Sequence, residues 1–104
     1  MSRGKKLGLL LSTAPTQPNF QHGLRLAATA LAAGVEVYLY CIDDAVTGVG
    51  EPPLQQLRER GLKLFACAEA AQRRQLPVTE LASFAGLGTL SELIAHTDRF
   101  VSFH

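Results

Sequence analysis

The chain has 104 residues, 47% hydrophobic and 18% charged, with ten basic side chains, nine acidic ones and two cysteines. That apolar share excludes a disordered chain, and at this length one domain with its own core, residues 1–104, is the expectation. The near-cancelled charge excludes a nucleic-acid binder that relies on bulk basicity, and two cysteines are too few for a disulfide scaffold.

The N-terminus places Arg3, Lys5 and Lys6 before Leu7 and Leu9-Leu10-Leu11, the outline of a secretory signal. The apolar run is about five residues and is broken by Gly8, whereas a signal core needs about 7–15. It reads instead as a strand buried on both faces, Lys6 to Thr13, followed by a polar loop from Ser12 to Asn19. No stretch approaches the roughly 20 apolar residues of a membrane span, so a soluble, cytoplasmic protein with reduced thiols is expected.

Phe20, Leu24, Ala27, Ala28 and Leu31 repeat at helical spacing, with Asn19 as the expected N-cap and Gly34 as the residue just past the helix end. Val35 to Ile42, rich in Val and Tyr, predicts a second strand that stops at Asp43-Asp44. A loop through Gly48, Gly50, Pro52 and Pro53 leads to a short amphipathic helix carrying Leu54 and Leu57, ended by Gly61. Leu62 to Ala66 is a third strand, and Cys67 stands where it gives way to an alanine-rich helix, Ala68 to Gln75, closed by Pro77. Val78 to Gly88 reads as a connection with a turn of helix. Thr89-Leu90-Ser91-Glu92 has capping-box form, and Leu90, Leu93 and Ile94 are the expected buried stripe of a last helix. Phe100 to Phe103 is the final strand. Strands alternating with helices predict a three-layer α/β/α domain on a mostly parallel sheet of about four to five strands.

In such sheets the functional crevice lies at the C-terminal ends of the strands, which here carry Ser12 to Asn19, Cys41 to Asp44, and Cys67. A free cysteine is usually a small buried hydrophobe. Cys67 departs from that expectation because a helix N-terminus offers unpaired backbone N–H groups that favour a thiolate, a nucleophile suited to a persulfide or disulfide. Arg73 and Arg74, two turns on, either assist it or form an ordinary solvated face. Cys41 reads as a packing residue or as the resolving partner of Cys67. The 26-residue spacing of the two cysteines and the absence of Cys-x-x-Cys argue against zinc and thioredoxin-type chemistry.

Other pocket candidates are Ser12, Thr13, His22, Asp43 and Asp44. Ser12 and Thr13 offer hydroxyls to an anion, but without a glycine-rich phosphate motif no nucleotide cofactor is expected. His22 lies near the start of the first helix, and His96 on the exposed side of the last. Asp43-Asp44 is either a magnesium or general-base pair or, as is usual for adjacent aspartates at a strand end, a turn. No metal site is assigned.

Leu9-Leu10-Leu11, Val35-Glu36-Val37-Tyr38, Gly61-Leu62-Lys63-Leu64-Phe65-Ala66-Cys67-Ala68, Gly88-Thr89-Leu90-Ser91-Glu92-Leu93-Ile94 and Asp98-Arg99-Phe100-Val101-Ser102-Phe103, in that order, resemble the DsrE/DsrF/TusD-like family over essentially the whole chain. The resemblance implies a small cytoplasmic α/β subunit of a homo- or hetero-oligomer, several members of which carry sulfur as a cysteine persulfide. It places the sulfur-carrying cysteine at Cys67, and with it donor and acceptor proteins as partners; Cys41 is not part of that pattern. The expected function is therefore a sulfur-relay subunit, a sulfurtransferase or persulfide carrier. The alternatives are a non-catalytic oligomeric module binding a small ligand, and a Cys41/Cys67 thiol-redox switch. Phe84, Phe100 and Phe103 suggest apolar surface for subunit contact.

Overall fold

The computed structural model describes residues 4–104; Arg3 of the basic N-terminal run lies outside them. The elements are β1 (Lys6–Leu11), α1 (Pro18–Ala32), β2 (Glu36–Cys41), a 3₁₀ helix (Asp43–Gly48), α2 (Pro52–Glu59), β3 (Lys63–Cys67), α3 (Ala68–Arg73), β4 (Ser83–Ala85), α4 (Leu87–His96) and β5 (Arg99–Phe103). The five strands form one sheet in the order β4-β3-β2-β1-β5, and every neighbouring pair is parallel.

Strand pairing sorts the side chains between two unequal faces, because partners in register point the same way and successive residues alternate. Leu9, Leu11, Val37, Leu39, Cys41, Leu64 and Ala66 share one face and are all buried. Helix α1 lies against it through Phe20, Leu24 and Ala27, and Leu54 and Leu57 of α2 join the same cluster. Gly23 of α1 lets the helix settle onto β1, since a Cβ there would stand 2.4 Å from Leu11 Cδ2. Each fully buried Leu or Val on this face contributes about 1.5–3 kcal/mol. The opposite face carries Leu10, Tyr38, Phe65 and Phe100, which are only half-buried, alongside the buried Tyr40 and Cys67. It is covered by α4, none of whose residues is fully buried.

The helix ends follow local chemistry, with several departures from the sequence reading. Helix α1 is capped not by Asn19 but by Gln17 in extended conformation, because Pro18 occupies the first helical position that its fixed φ suits. Its far end behaves as expected: Gly34 has φ +83°, a backbone state that costs a side chain but not glycine. The segment from Asp43 is a 3₁₀ helix rather than an open loop. Helix α3 stops at Arg73, before Pro77, because Gln75 turns left-handed (φ +55°) and the Leu76 N–H returns to the Ala71 carbonyl at 2.9 Å.

The Val78–Gly88 connection contains the edge strand β4, which pairs with β3 through Phe65–Ser83, Ala66–Phe84 and Cys67–Ala85. Helix α4 begins at Leu87 with Gly86 as N-cap, so Thr89 lies inside the first turn and makes no capping box. Leu90 and Leu93 are half-buried, whereas Ile94 is 51% exposed and leaves the expected stripe. Among the described residues no helix is long and apolar enough to cross a membrane.

Candidate functional site

The C-terminal ends of β2 and β3, the start of α3 and the β4–α4 junction enclose a cleft of about 530 Å³. Ile42, Asp43, Cys67, Ala70, Arg73, Arg74, Gly86 and Leu87 line it, with Glu69 at its side. Cys67 holds its place because it is at once the last residue of β3 and the N-cap of α3, and its Sγ accepts a hydrogen bond from the Ala70 N–H at 3.4 Å. The sulfur therefore occupies the position a Ser or Asp oxygen takes at other helix starts. It is only 5% exposed, so reagents meet it through the cleft and not from bulk solvent.

The charges around it are largely committed to one another. Arg74 spans from α3 to the 3₁₀ helix, donating from Nη2 to Asp44 Oδ1 at 2.8 Å and from Nη1 to the Ala70 carbonyl at 3.1 Å. Arg73 pairs with Glu69 one turn back at 2.9 Å, on the solvent side. Asp43 adopts φ +52°, a left-handed state uncommon outside glycine, asparagine and aspartate, and turns the chain sharply at the cleft wall.

The remaining candidates separate. Asp43 lines the cleft with Cys67, and Asp44 reaches its rim through Arg74. Ser12, Thr13 and His22 are not among the cleft residues. Ser12 Oγ pairs with His104 Nδ1 at 2.7 Å, Thr13 Oγ1 is buried without a partner among the described residues, and exposed His22 donates from Nδ1 to Asn19 Oδ1 at 3.1 Å. The first two strand ends thus open onto different neighbourhoods, because β1 sits between β2 and β5 and its loop packs toward the C-terminal segment. His96 is exposed, as expected, with Nδ1 at 2.9 Å from the Glu92 carbonyl.

Cys41 ends β2 in the sealed core, fully buried, and burial alone pushes its thiol up to about 12. Its register partner on β3 is Ala66, so Cys67, one residue further, faces the other side of the sheet. Both cysteines are free, and a bond between them would have to pass through the sheet.

Tyr40 was not among the residues singled out from the sequence. Its alternation with Cys41 puts it on the Cys67 face, where its ring is fully buried. Its hydroxyl donates toward the Ala85 and Gly86 carbonyls at 3.0 and 3.1 Å, and burial above all, with the nearby Cys67 thiol, holds the phenol well above its ordinary value of 10.0. The only sequence signal was its parity with Cys67, which needs the strand register to be read. Among the described residues no group of three or more His, Cys, Asp or Glu side chains could hold a metal ion.

The fold recurs in solved structures. The ychN protein from E. coli superposes with a TM-score of 0.79 at 20% identity, over 95% of this chain and 99% of that one. A conserved protein of unknown function from Bacteroides thetaiotaomicron gives 0.78 at 18% identity, over 99% and 98%. No curated protein sequence matches the chain significantly. The profile of the DsrE/DsrF-like family matches residues 5–103, nearly the full length, and the chain belongs to that family.

Proposed function

We propose that this chain, acting as one α/β domain, is a sulfur-relay subunit that carries sulfane sulfur as a persulfide on Cys67 and hands it to a partner protein. The observation that carries the reading is the placement of Cys67 in the cleft wall as the N-cap of α3, while the chain's other thiol is sealed in the core. The family supports it, and the cleft supplies room for the sulfur end of a donor chain. In the loading step the Cys67 thiolate attacks the outer sulfur of a donor persulfide. The donor S–S bond breaks, its electron pair leaves with the donor as a thiolate, and Cys67 keeps the sulfane sulfur with its proton. No net oxidation occurs, and the reverse step at an acceptor thiol unloads the protein.

Assembly into an oligomer in the cytoplasm fits the same reading. The half-buried residues of the α4 face, with Leu87 59% and Ile94 51% exposed on the helix, offer apolar surface to another subunit. The near-zero net charge favours protein partners over bulk nucleic acid.

Incubation of the reduced protein with a sulfane donor, followed by intact mass, is expected to show a gain of about 32 Da that Cys67→Ser abolishes and Cys41→Ser leaves in place. A wild-type protein that gains no sulfur under these conditions overturns the reading in favour of a binding module.

A further inference from the structure

Charge around the Cys67 cleft is unevenly compensated. Three carboxylates and two guanidiniums border it, Asp43, Asp44 and Glu69 against Arg73 and Arg74. All three guanidinium nitrogens of Arg74 are committed: Nε and Nη2 donate to Asp44 Oδ1 at 3.3 and 2.8 Å, and Nη1 to the Ala70 carbonyl at 3.1 Å. Arg73 closes onto Glu69 at 2.9 Å, and the Ala70 N–H is taken by the Cys67 sulfur itself. Asp43 alone among these charges has no ion-pair partner among the described residues. Its side chain is exposed, so it stands where the cleft opens to solvent.

The local backbone does not demand that charge. Asp43 sits at φ +52°, a left-handed state that asparagine adopts as readily as aspartate, and no side-chain hydrogen bond caps the 3₁₀ helix that starts there. The carboxylate is nevertheless felt throughout the cleft. A cavity of about 530 Å³ is about 8 Å across, which is no more than the distance of about 8 Å over which physiological salt screens a charge. Because Cys67 is only 5% exposed, a group bound for its sulfur passes through this field. Ile42 and the 59% exposed Leu87 add apolar surface to the same walls, which suits a polypeptide segment better than a hydrated inorganic anion.

We propose that Asp43 is a specificity-determining residue that sets the charge selectivity of the cleft, so that Cys67 exchanges sulfur with protein cysteines flanked by Lys or Arg and disfavours small anionic sulfane donors such as thiosulfate. This names the substrate class of the site already described and rests on the reading that Cys67 is the working sulfur. A cationic side chain beside the donor persulfide finds the uncompensated Asp43 carboxylate. An anion finds that carboxylate too, and meets guanidiniums whose partners are already in place.

Two methanethiosulfonates of similar size and opposite charge, one bearing a trimethylammonioethyl and the other a sulfonatoethyl group, read this selectivity without a sulfur donor. With either reagent the Cys67 thiolate attacks the thio sulfur, a new S–S bond forms, and methanesulfinate leaves with the electron pair. The quantity measured is the cation-to-anion rate ratio at the Cys67 peptide, divided by the same ratio for the neutral small thiol N-acetylcysteinamide. In wild type it is expected to exceed one, and in Asp43→Asn, which keeps the backbone state and removes the charge, to fall about threefold or more. A wild-type value at or below one overturns the proposal. So does an Asp43→Asn protein in which both reagents change equally, since Asp43 is then only a turn residue. Should Asp43→Asn fail to fold, wild type at rising salt decides: the normalised ratio must decline toward one, and a ratio indifferent to salt overturns the proposal. Charge selectivity without any 32 Da adduct in wild type sinks the sulfur-relay reading and keeps the role of Asp43 at the cleft, and the adduct without charge selectivity does the reverse.

Discussion

Strands β2 and β3 lie side by side, each ends in a cysteine, and the two sulfurs have opposite surroundings. Cys41 points into the face covered by α1 and α2, with no exposure and a thiol pushed up to about 12. Cys67 points to the face covered by α4, where its sulfur accepts the Ala70 N–H and borders the cleft. A one-residue difference in strand parity produces the contrast: Cys41 is in register with Ala66, not with Cys67. Chemical identity and position at the strand ends are the same for both, so the surroundings of each thiol are decided by which face of the sheet the side chain meets.

The largest expected effect tests that contrast directly. In the native protein at pH 8, labelling at Cys67 should outpace labelling at Cys41 by at least about 10³-fold, since reaching Cys41 requires opening the core. Peptide mapping after timed alkylation measures the ratio, and comparable rates would erase the distinction between the two faces.

A second test uses alkali. The Cys41 thiol ionises near 9.0 when exposed but only at about 12 in the fold, so the unfolded chain gives up its proton first. Stability from this group is therefore intact below pH 9 and falls as pH rises toward 12, by up to about 1.4 kcal/mol per unit. Tyr40, raised above 10.0, adds a loss of the same sign from pH 10 upward. Urea midpoints between pH 8 and 11 should decline, and Cys41→Ala should flatten the part that begins near 9. A slope unaffected by Cys41→Ala would assign it to other groups.

Serine substitution sharpens the comparison at smaller scale. Cys41→Ser buries a hydroxyl among Leu and Val side chains and should cost about 1–3 kcal/mol in chemical denaturation. Cys67→Ser places a better N-cap at the start of α3 and should change stability by less than about 0.5 kcal/mol. Equal losses at both positions would contradict the capping role of the Cys67 sulfur. At the cleft rim, Arg74→Ala breaks a pair whose Asp44 side chain is 65% exposed, and should cost less than about 1 kcal/mol, less again at high salt.

Much of the fold was legible in the chain because burial leaves a periodic mark. Leu9-Leu10-Leu11 and Val37-Tyr38-Leu39-Tyr40 read as strands, and α1 and α2 showed their apolar stripes and their terminal glycines. The edge strand β4 was not legible, since three residues, Ser83–Ala85, are too few to set up an alternation. The Thr89-to-Glu92 pattern misled for a related reason: helix α4 begins at Leu87, directly after a Gly86 whose carbonyl is held by Tyr40 from another strand. Ile94 kept helical spacing yet stayed exposed, because spacing marks a stripe and not what lies opposite it.

By itself the sequence determined that this is an α/β chain with parallel strands, that Cys41 and Cys67 stand at the ends of two of them, and that Cys67 opens a helix. Those properties follow from local periodicity and turn chemistry, which neighbouring residues decide among themselves. Strand order, register and the pairing of distant segments were left to the tertiary structure. They put Cys41 in the core, Cys67 on the other face, Arg74 against Asp44, and the Tyr40 hydroxyl against the Ala85 and Gly86 carbonyls. Each of these depends on which residue lies across a strand boundary, a relation that no single stretch of chain contains.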